Sequence, residues 1–377
     1  MKKRFRIGSL ALSLAIICGS FIPTIAQADD KVETKNMEVT RIAGSGRYET
    51  AVVASEKTFK KSKYAVVASG ERFEDALVGG TLATQIEAPI LLVGKNNVPS
   101  VVSKEIKRLE VEKIYLLGGT ATVSSKVENN LKQAGVTVER LAGRNKAYTA
   151  QEIAKARAKH LGIDTSWTEF AAIDGSSYAD ALSAGPFVSQ LDKFIPLIPI
   201  EKGNTNSAHT IAFGGTNRVT KSTSEKTRYA GPNREGTAVE IAKAYKEELN
   251  KDIDTIVLVH GYDYPDALAS APVASINKGA ILLTNAKVLS KETKNYITSN
   301  KNIKNIIIVG GENSVSSNIE KELRALKVEV PVKETEEVKP TNPVEETKPM
   351  EETKPVTEDT STNTTDKNEA KTSKTEK

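Results

Sequence analysis

The chain has 377 residues, 38% of them hydrophobic and 5% aromatic, with a single cysteine and a formal net charge of +5. One cysteine excludes a disulfide-stapled scaffold, and sparse aromatics argue against sugar recognition by rows of stacked Trp and Tyr. The length allows two or three domains, while the low apolar share implies that part of the chain lies outside any packed core.

Residues 1–28 read as a secretory signal peptide. Lys2, Lys3, Arg4 and Arg6 precede the apolar run "IGSLALSLAIICGSFI", and Ala26-Gln27-Ala28 has the small-x-small form of a cleavage site. Cys18 sits inside the apolar run behind Ile17, which does not fit lipid attachment. The run is short for a spanning helix, so the mature chain, starting near Asp29, is expected to be secreted with no transmembrane segment.

From Arg41 a set of motifs begins that recurs twice. "RIAGSGRYETA" at Arg41 is matched by "RLAGRNKAYTA" at Arg140 and "RYAGPNREGTA" at Arg228. The shared core is R-x-A-G with Thr-Ala beginning six residues beyond the Gly. A second motif, G-x-x-[FY]-x-D-A-L, starts at Gly70, Gly175 and Gly261. A third is an apolar run, "APILLV", "IPLIPI" and "GAILLT". A fourth is an apolar run ending in Gly118-Gly119, Gly214-Gly215 and Gly310-Gly311. Four motifs in one order, three times, define three homologous modules, at 38–137, 138–226 and 227–330.

Short runs apolar throughout suit strands buried on both faces of a parallel sheet, and the segments between them are helical in period. Each module is therefore expected to be a small α/β unit. Ser125-x-x-Glu128 and Ser317-x-x-Glu320 read as capping boxes opening the last helices of modules one and three. Module two is shorter. Only "EKGNTNSAHT" links its third and fourth motifs, and "TNRVTKSTSEK" lies between Gly215 and Arg228, so its last two helices are expected to be short or missing. Residues 333–377 repeat "EETKP" and hold almost nothing apolar, and they read as a disordered charged tail. With eight Lys against twelve acidic residues the tail carries −4, and the signal carries four basic residues, which leaves the middle near +5. A mildly basic secreted middle fits an acidic surface partner better than nucleic acid.

The motifs fall at the carboxyl edge of the strands, where α/β sheets bind ligands. Arg41, Arg140 and Arg228 can fork onto a phosphate or carboxylate, or form internal ion pairs, the Asp of the second motif being one candidate partner. Arg47, Lys146 and Arg234 lie beside a helix start and a Gly turn, a place suited to anion contact. Asp75, Asp180 and Asp266 fall in a first helical turn, where the macrodipole favours a carboxylate without any further role. Ile90, Leu91, Leu92 and Ile281, Leu282, Leu283 read as buried strand. His160, His209 and His260 occupy non-equivalent positions, and no zinc-type His spacing or nucleophile elbow occurs, so no metal, cofactor or catalytic set is expected. The alternative is an enzyme, an amidase or a phosphosugar or nucleotide hydrolase, using the strand-edge cleft.

The motifs "R-[IL]-A-G-x-x-R-Y-E-T-A", "F-x-D-A-L", "P-I-L-L" and "GG-x-x-x-V-S" together resemble the cell wall-binding repeat 2 family of secreted Gram-positive surface proteins. The resemblance covers about residues 38 to 330. It implies Rossmann-like modules in a pseudo-threefold triangle, attached non-covalently to an anionic wall polysaccharide of the teichoic-acid kind, with other surface-layer proteins as neighbours. It also implicates the Ile-Leu-Leu segment and nearby basic residues, Arg72 among them, in that contact. Taken alone, "RIAGSGRYETA" looks like a phosphate loop. Three copies point instead to a repeated polymer anion, with weak sites reinforced by multivalency.

Overall fold

A computed structural model describes residues 32–331. The signal-peptide and tail assignments lie outside the described residues. The first part of the chain forms β1 (Val32–Asn36), β2 (Glu38–Ile42), α1 (Arg47–Thr58), β3 (Tyr64–Ser69), α2 (Glu74–Gln85), β4 (Ile90–Val93), α3 (Ser100–Arg108), β5 (Lys113–Leu117) and α4 (Ser125–Gln133). Next come β6 (Thr137–Leu141), α5 (Lys146–Leu161), β7 (Ala171–Asp174), α6 (Ala179–Val188), β8 (Leu197–Ile200) and β9 (Ile211–Phe213). The last part is β10 (Thr227–Tyr229), α7 (Arg234–Leu249), β11 (Thr255–His260), a 3-10 turn (Asp266–Ala269), α8 (Ser270–Ile276), β12 (Gly279–Thr284), α9 (Lys291–Ser299), β13 (Asn305–Val309), α10 (Ser317–Arg324) and β14 (Lys327–Pro331).

Three four-stranded parallel sheets result, in the orders β4-β3-β5-β6, β8-β7-β9-β10 and β12-β11-β13-β2. The central strands are buried on both faces, which is why they read as unbroken apolar runs. No helix is assigned between β8 and β9 or between β9 and β10, as the short spacers of the second module predict.

Sheet membership runs one strand out of step with the repeats. The R-x-A-G strand of each repeat completes the sheet of the repeat before it, so β6 pairs with β5 and β10 with β9. The first repeat has no predecessor, and its strand β2 closes the third sheet, Ile42 opposite Val309. The following helix then packs on its own repeat's sheet, α1 against β4, α5 against β8 and α7 against β12. The ring is therefore closed, and the antiparallel pair β1–β14 ties its two ends together.

The helices that carry or directly follow the D-A-L motif, α2, α6 and α8, pack on one another at the centre. Small residues permit the approach: a Cβ on Gly80 would come within 2.9 Å of the Ala271 Cβ. At the amino ends of these helices Phe73, Tyr178 and Tyr264 meet as a triangle, with ring centroids 5.7, 5.2 and 5.5 Å apart. These are the three [FY] positions of the second motif, and they mark a pseudo-threefold axis.

Two sequence expectations change. The capping boxes do not form, since α4 and α10 are preceded by Ser124 and Ser316 at the cap, which puts Val127 and Ile319 at the third helical position. Glu128 and Glu320 turn to arginines instead, as described below. Ile90, Leu91, Leu92 and Ile281, Leu282, Leu283 are each at most 1% exposed. Each such side chain contributes roughly 1.5–3 kcal/mol of burial, and in this position they fill the sheet core and present no surface to a polymer.

Candidate functional site: clefts at the sheet edges

The A-G turn is a clasp. The N–H of Gly44 donates to Thr50 Oγ1 at 3.1 Å, that of Gly143 to Thr149 Oγ1 at 3.1 Å, and that of Gly231 to Thr237 Oγ1 at 3.2 Å. The six-residue spacing of Gly and Thr exists to make this bond. A Cβ on Gly44 would lie 2.4 Å from the Glu49 Cβ, and one on Gly143 2.3 Å from the Tyr148 Cβ. The turn is thus pressed onto the first helical turn behind it. A backbone donor that a phosphate loop would offer to an anion is already engaged.

The R-x-A-G arginines face inward. Arg41 donates from Nε to Glu320 at 2.9 Å and from Nη1 to the Gly310 carbonyl at 2.7 Å. Arg140 does the same to Glu128 at 2.8 Å and Gly118 at 2.6 Å. Arg228 reaches the Gly214 carbonyl at 2.6 Å and grips Glu225 through both Nε and Nη2. Their side chains are 15–17% exposed. The ion-pair alternative therefore describes their contacts, with a Glu from the preceding repeat as partner in place of the motif Asp. Lys132 and Arg140 together hold the Glu128 carboxyl below its usual range, and Arg324 and Arg41 do the same for Glu320.

The two glycines of each Gly-Gly have different tasks. Gly118, Gly214 and Gly310 sit at φ +93°, +103° and +129°, a region that side-chain-bearing residues avoid. Each donates its N–H back to the incoming strand, to Leu141, Tyr229 and Ile42, at 2.8–2.9 Å. A Cβ there would also meet the motif aspartate, at 2.4 Å from Asp75 Oδ2, 2.4 Å from Asp180 Oδ2 and 3.2 Å from Asp266 Oδ2. The second residues, Gly119, Gly215 and Gly311, face open space.

That open space is a cleft between the edge of one sheet and the helix start of the next repeat. The first cleft, about 490 Å³, is lined by Arg72, Asp75, Gly119, Arg144, Lys146 and Glu201 among others. The second, about 410 Å³, is lined by Asp180, Gly215, Arg218, Asn233, Arg234 and Tyr262 among others. At the third edge Asp266 accepts from Ser314 at 2.7 Å beside Gly310. A larger cavity of about 620 Å³ lies at the carboxyl ends of α2, α6 and α8, but it holds none of the repeated motif groups.

Burial pushes the carboxyls of Asp75 and Asp180 up to about 6, with Glu74 and Asp174 respectively adding to the effect. The cation beside Asp75 is Arg72 of the same repeat, and those beside Asp180 are Arg218 of the same repeat and Arg234 of the next. Arg47 and Arg234 donate to the carbonyls of Gly70 and Gly261. Lys146 packs beside Gly175 and pairs with Glu201 at 3.0 Å. Arg72 is 63% exposed and pairs with Glu74 at 2.8 Å. Sequence reasoning missed Arg144 and Arg218, which have no motif of their own, and Glu225, which takes the place of the missing helix's Glu. It also missed the [FY] residues, although their recurrence was visible.

Three four-stranded parallel-sheet modules closed around an axis define a protein built from tandem Rossmann-like units. The profile described as cell wall binding domain 2 (CWB2) matches residues 41–128, 140–224 and 228–320. The chain belongs to the cell wall binding domain 2 family. It is 30% identical over 319 residues to the N-acetylmuramoyl-L-alanine amidase LytC of Bacillus subtilis (strain 168), covering 81% of this chain and 60% of that protein. It is 28% identical over 306 residues to the amidase enhancer of the same organism, covering 78% and 41%. The chain thus spans less than two thirds of these relatives. Among solved structures it is similar to Cwp8 from Clostridium difficile, with a TM-score of 0.64, 25% identity and coverage of 77% and 51%. Cwp6 from the same organism shares the fold, with a TM-score of 0.62, 23% identity and coverage of 76% and 48%.

Proposed function

We propose that the chain is a secreted, non-catalytic surface protein held to an anionic wall polysaccharide of the teichoic-acid kind through its sheet-edge clefts. The observation that carries this reading is the repetition itself. Two edges set a motif Asp and an open second Gly against a cation of the next repeat, Lys146 or Arg234, and the third carries the same motif groups with Arg47 in the corresponding place. Catalysis calls for one asymmetric set of groups, whereas three near-equal weak sites on one polymer gain from effective concentration. Within this proposal Arg41, Arg140 and Arg228 act indirectly, by fixing the turns that shape the clefts. Arg47, Arg72, Arg144, Lys146, Arg218 and Arg234 make the direct contacts.

Kinship to an amidase raises a hydrolase as the second reading. Ser207, His209 and Glu225 do form a hydrogen-bonded row, 2.9 and 3.2 Å apart. His209 is fully buried, however, and Glu225 is already gripped by Arg228. That arrangement favours a polar plug under the shortened second module over a nucleophile.

Co-sedimentation with walls tests the proposal. The purified chain is expected to pellet with native walls, to be released as salt rises, and to stay in solution with walls stripped of acidic polymer. Equal pelleting with stripped walls, or retention indifferent to salt, would overturn it.

A further inference from the structure

We propose that the Phe73–Tyr178–Tyr264 triangle on the pseudo-threefold axis is a single sugar-ring subsite, distinct from the charged clefts. It rests on the reading of the chain as a wall-glycan binder. All three rings are half-buried, at the amino ends of the central helices, on the same edge as the clefts. Ring planes tilted by 56–70° leave the triangle as a pinwheel rather than a closed stack. The Tyr264 hydroxyl is anchored, donating to the Glu71 carbonyl at 3.1 Å, which fixes its ring.

The triangle is also continuous with the second cleft. The Arg234 guanidinium lies 5.9 Å from the Tyr178 ring and 4.3 Å from that of Tyr262, which is 51% exposed. Aromatic surface therefore runs outward from the axis and ends at the cation of a cleft. Apolar faces with a polar rim match the C–H face and hydroxyl edge of a pyranose ring. An acidic glycan suits this combination, with a sugar ring on the axis and its phosphate or carboxylate at Arg234. The 5% aromatic content, which argued against rows of stacked rings, is compatible with one platform assembled from three repeats.

The test uses the full chain and two probes, a Gram-positive wall polysaccharide and the neutral oligosaccharide left after hydrogen fluoride removes its phosphates. Saturation-transfer NMR is expected to show transfer from tyrosine ring protons to the neutral oligosaccharide, unchanged between low and high salt. Tyr178→Leu is expected to weaken that binding about tenfold, about 1.4 kcal/mol, whereas Tyr178→Phe retains it within about twofold. Absence of transfer in the unaltered chain overturns the proposal, as does full binding by a folded Tyr178→Leu chain. Binding of the neutral probe alone, without retention of the acidic polymer, would sink the anionic reading and leave the axial subsite standing. Retention of the acidic polymer alone would do the reverse.

Discussion

At the residue scale, two kinds of arginine separate by what they touch. Arg140 holds both Glu128 and the Gly118 carbonyl in a half-buried position, so Arg140→Ala strands a carboxylate and a carbonyl. A loss of roughly 1–3 kcal/mol is expected, read as a lower Tm in thermal unfolding. Arg72→Ala removes an exposed partner of Glu74 and should leave Tm within a degree or so, while wall retention falls. The aspartates add a pH dependence. For an acid whose folded pKa is raised, stability is fully present below the unfolded value and is lost as pH rises through the folded value. Asp75 and Asp180, at about 6, therefore favour the fold more at pH 4 than at pH 7. Their protonation also removes negative charge from two clefts, so polymer retention should strengthen between pH 7 and 5. In an Asp75→Asn, Asp180→Asn double variant, co-sedimentation across that range should be flatter. The inward course of Arg41, Arg140 and Arg228 was not legible in the sequence. A guanidinium that ends a strand looks the same whether its partner is a ligand or a Glu from a helix almost 280 residues away, as with Arg41 and Glu320.

At the element scale, adjacent glycines make a sharp contrast. Gly118→Ala forces a Cβ into a left-handed turn and against the Asp75 carboxyl, at a cost of roughly 1–3 kcal/mol. Gly119→Ala meets nothing within 4 Å and should leave thermal stability unchanged while narrowing the first cleft. Differential scanning calorimetry on the pair checks both halves of this expectation. The strands themselves were readable, because a short run such as "KIYLLGG", apolar and bounded by a Gly turn, has few other places to go than a buried strand. The lost helices of the second module were readable from spacer length alone. The Ser-x-x-Glu caps misled because Glu128 and Glu320 do lie in a first helical turn, but a nearby arginine competes for each carboxylate more strongly than a backbone N–H does.

At the scale of the whole molecule, the out-of-step strands decide what can fold. A fragment cut at the repeat boundaries, 38–137, keeps a strand that belongs to the third sheet and loses most of β6. It also uncovers the face of α2 that packs on α6 and α8. Circular dichroism of that fragment is expected to show no cooperative transition, whereas residues 32–331 melt as one unit. Repeats found by motif give the number of modules but not their sheet partners. A short strand such as β2, β6 or β10 fits either neighbour, and only ring closure selects one. The axial aromatic triangle was hidden for the same reason, since three separated ring positions carry no sign that they meet.

The β1–β14 ribbon gives the molecule a mechanical property. Val32 lies opposite Pro331, and Asn36 opposite Lys327, so the ribbon's open end carries the chain beyond Pro331. A pull on that chain loads the bond nearest Pro331 first and peels the pair one residue at a time toward Leu326. Parallel sheets loaded along their strands must shear several bonds at once. The ribbon is therefore expected to yield at lower force than the β13–β2 seam that keeps the ring shut.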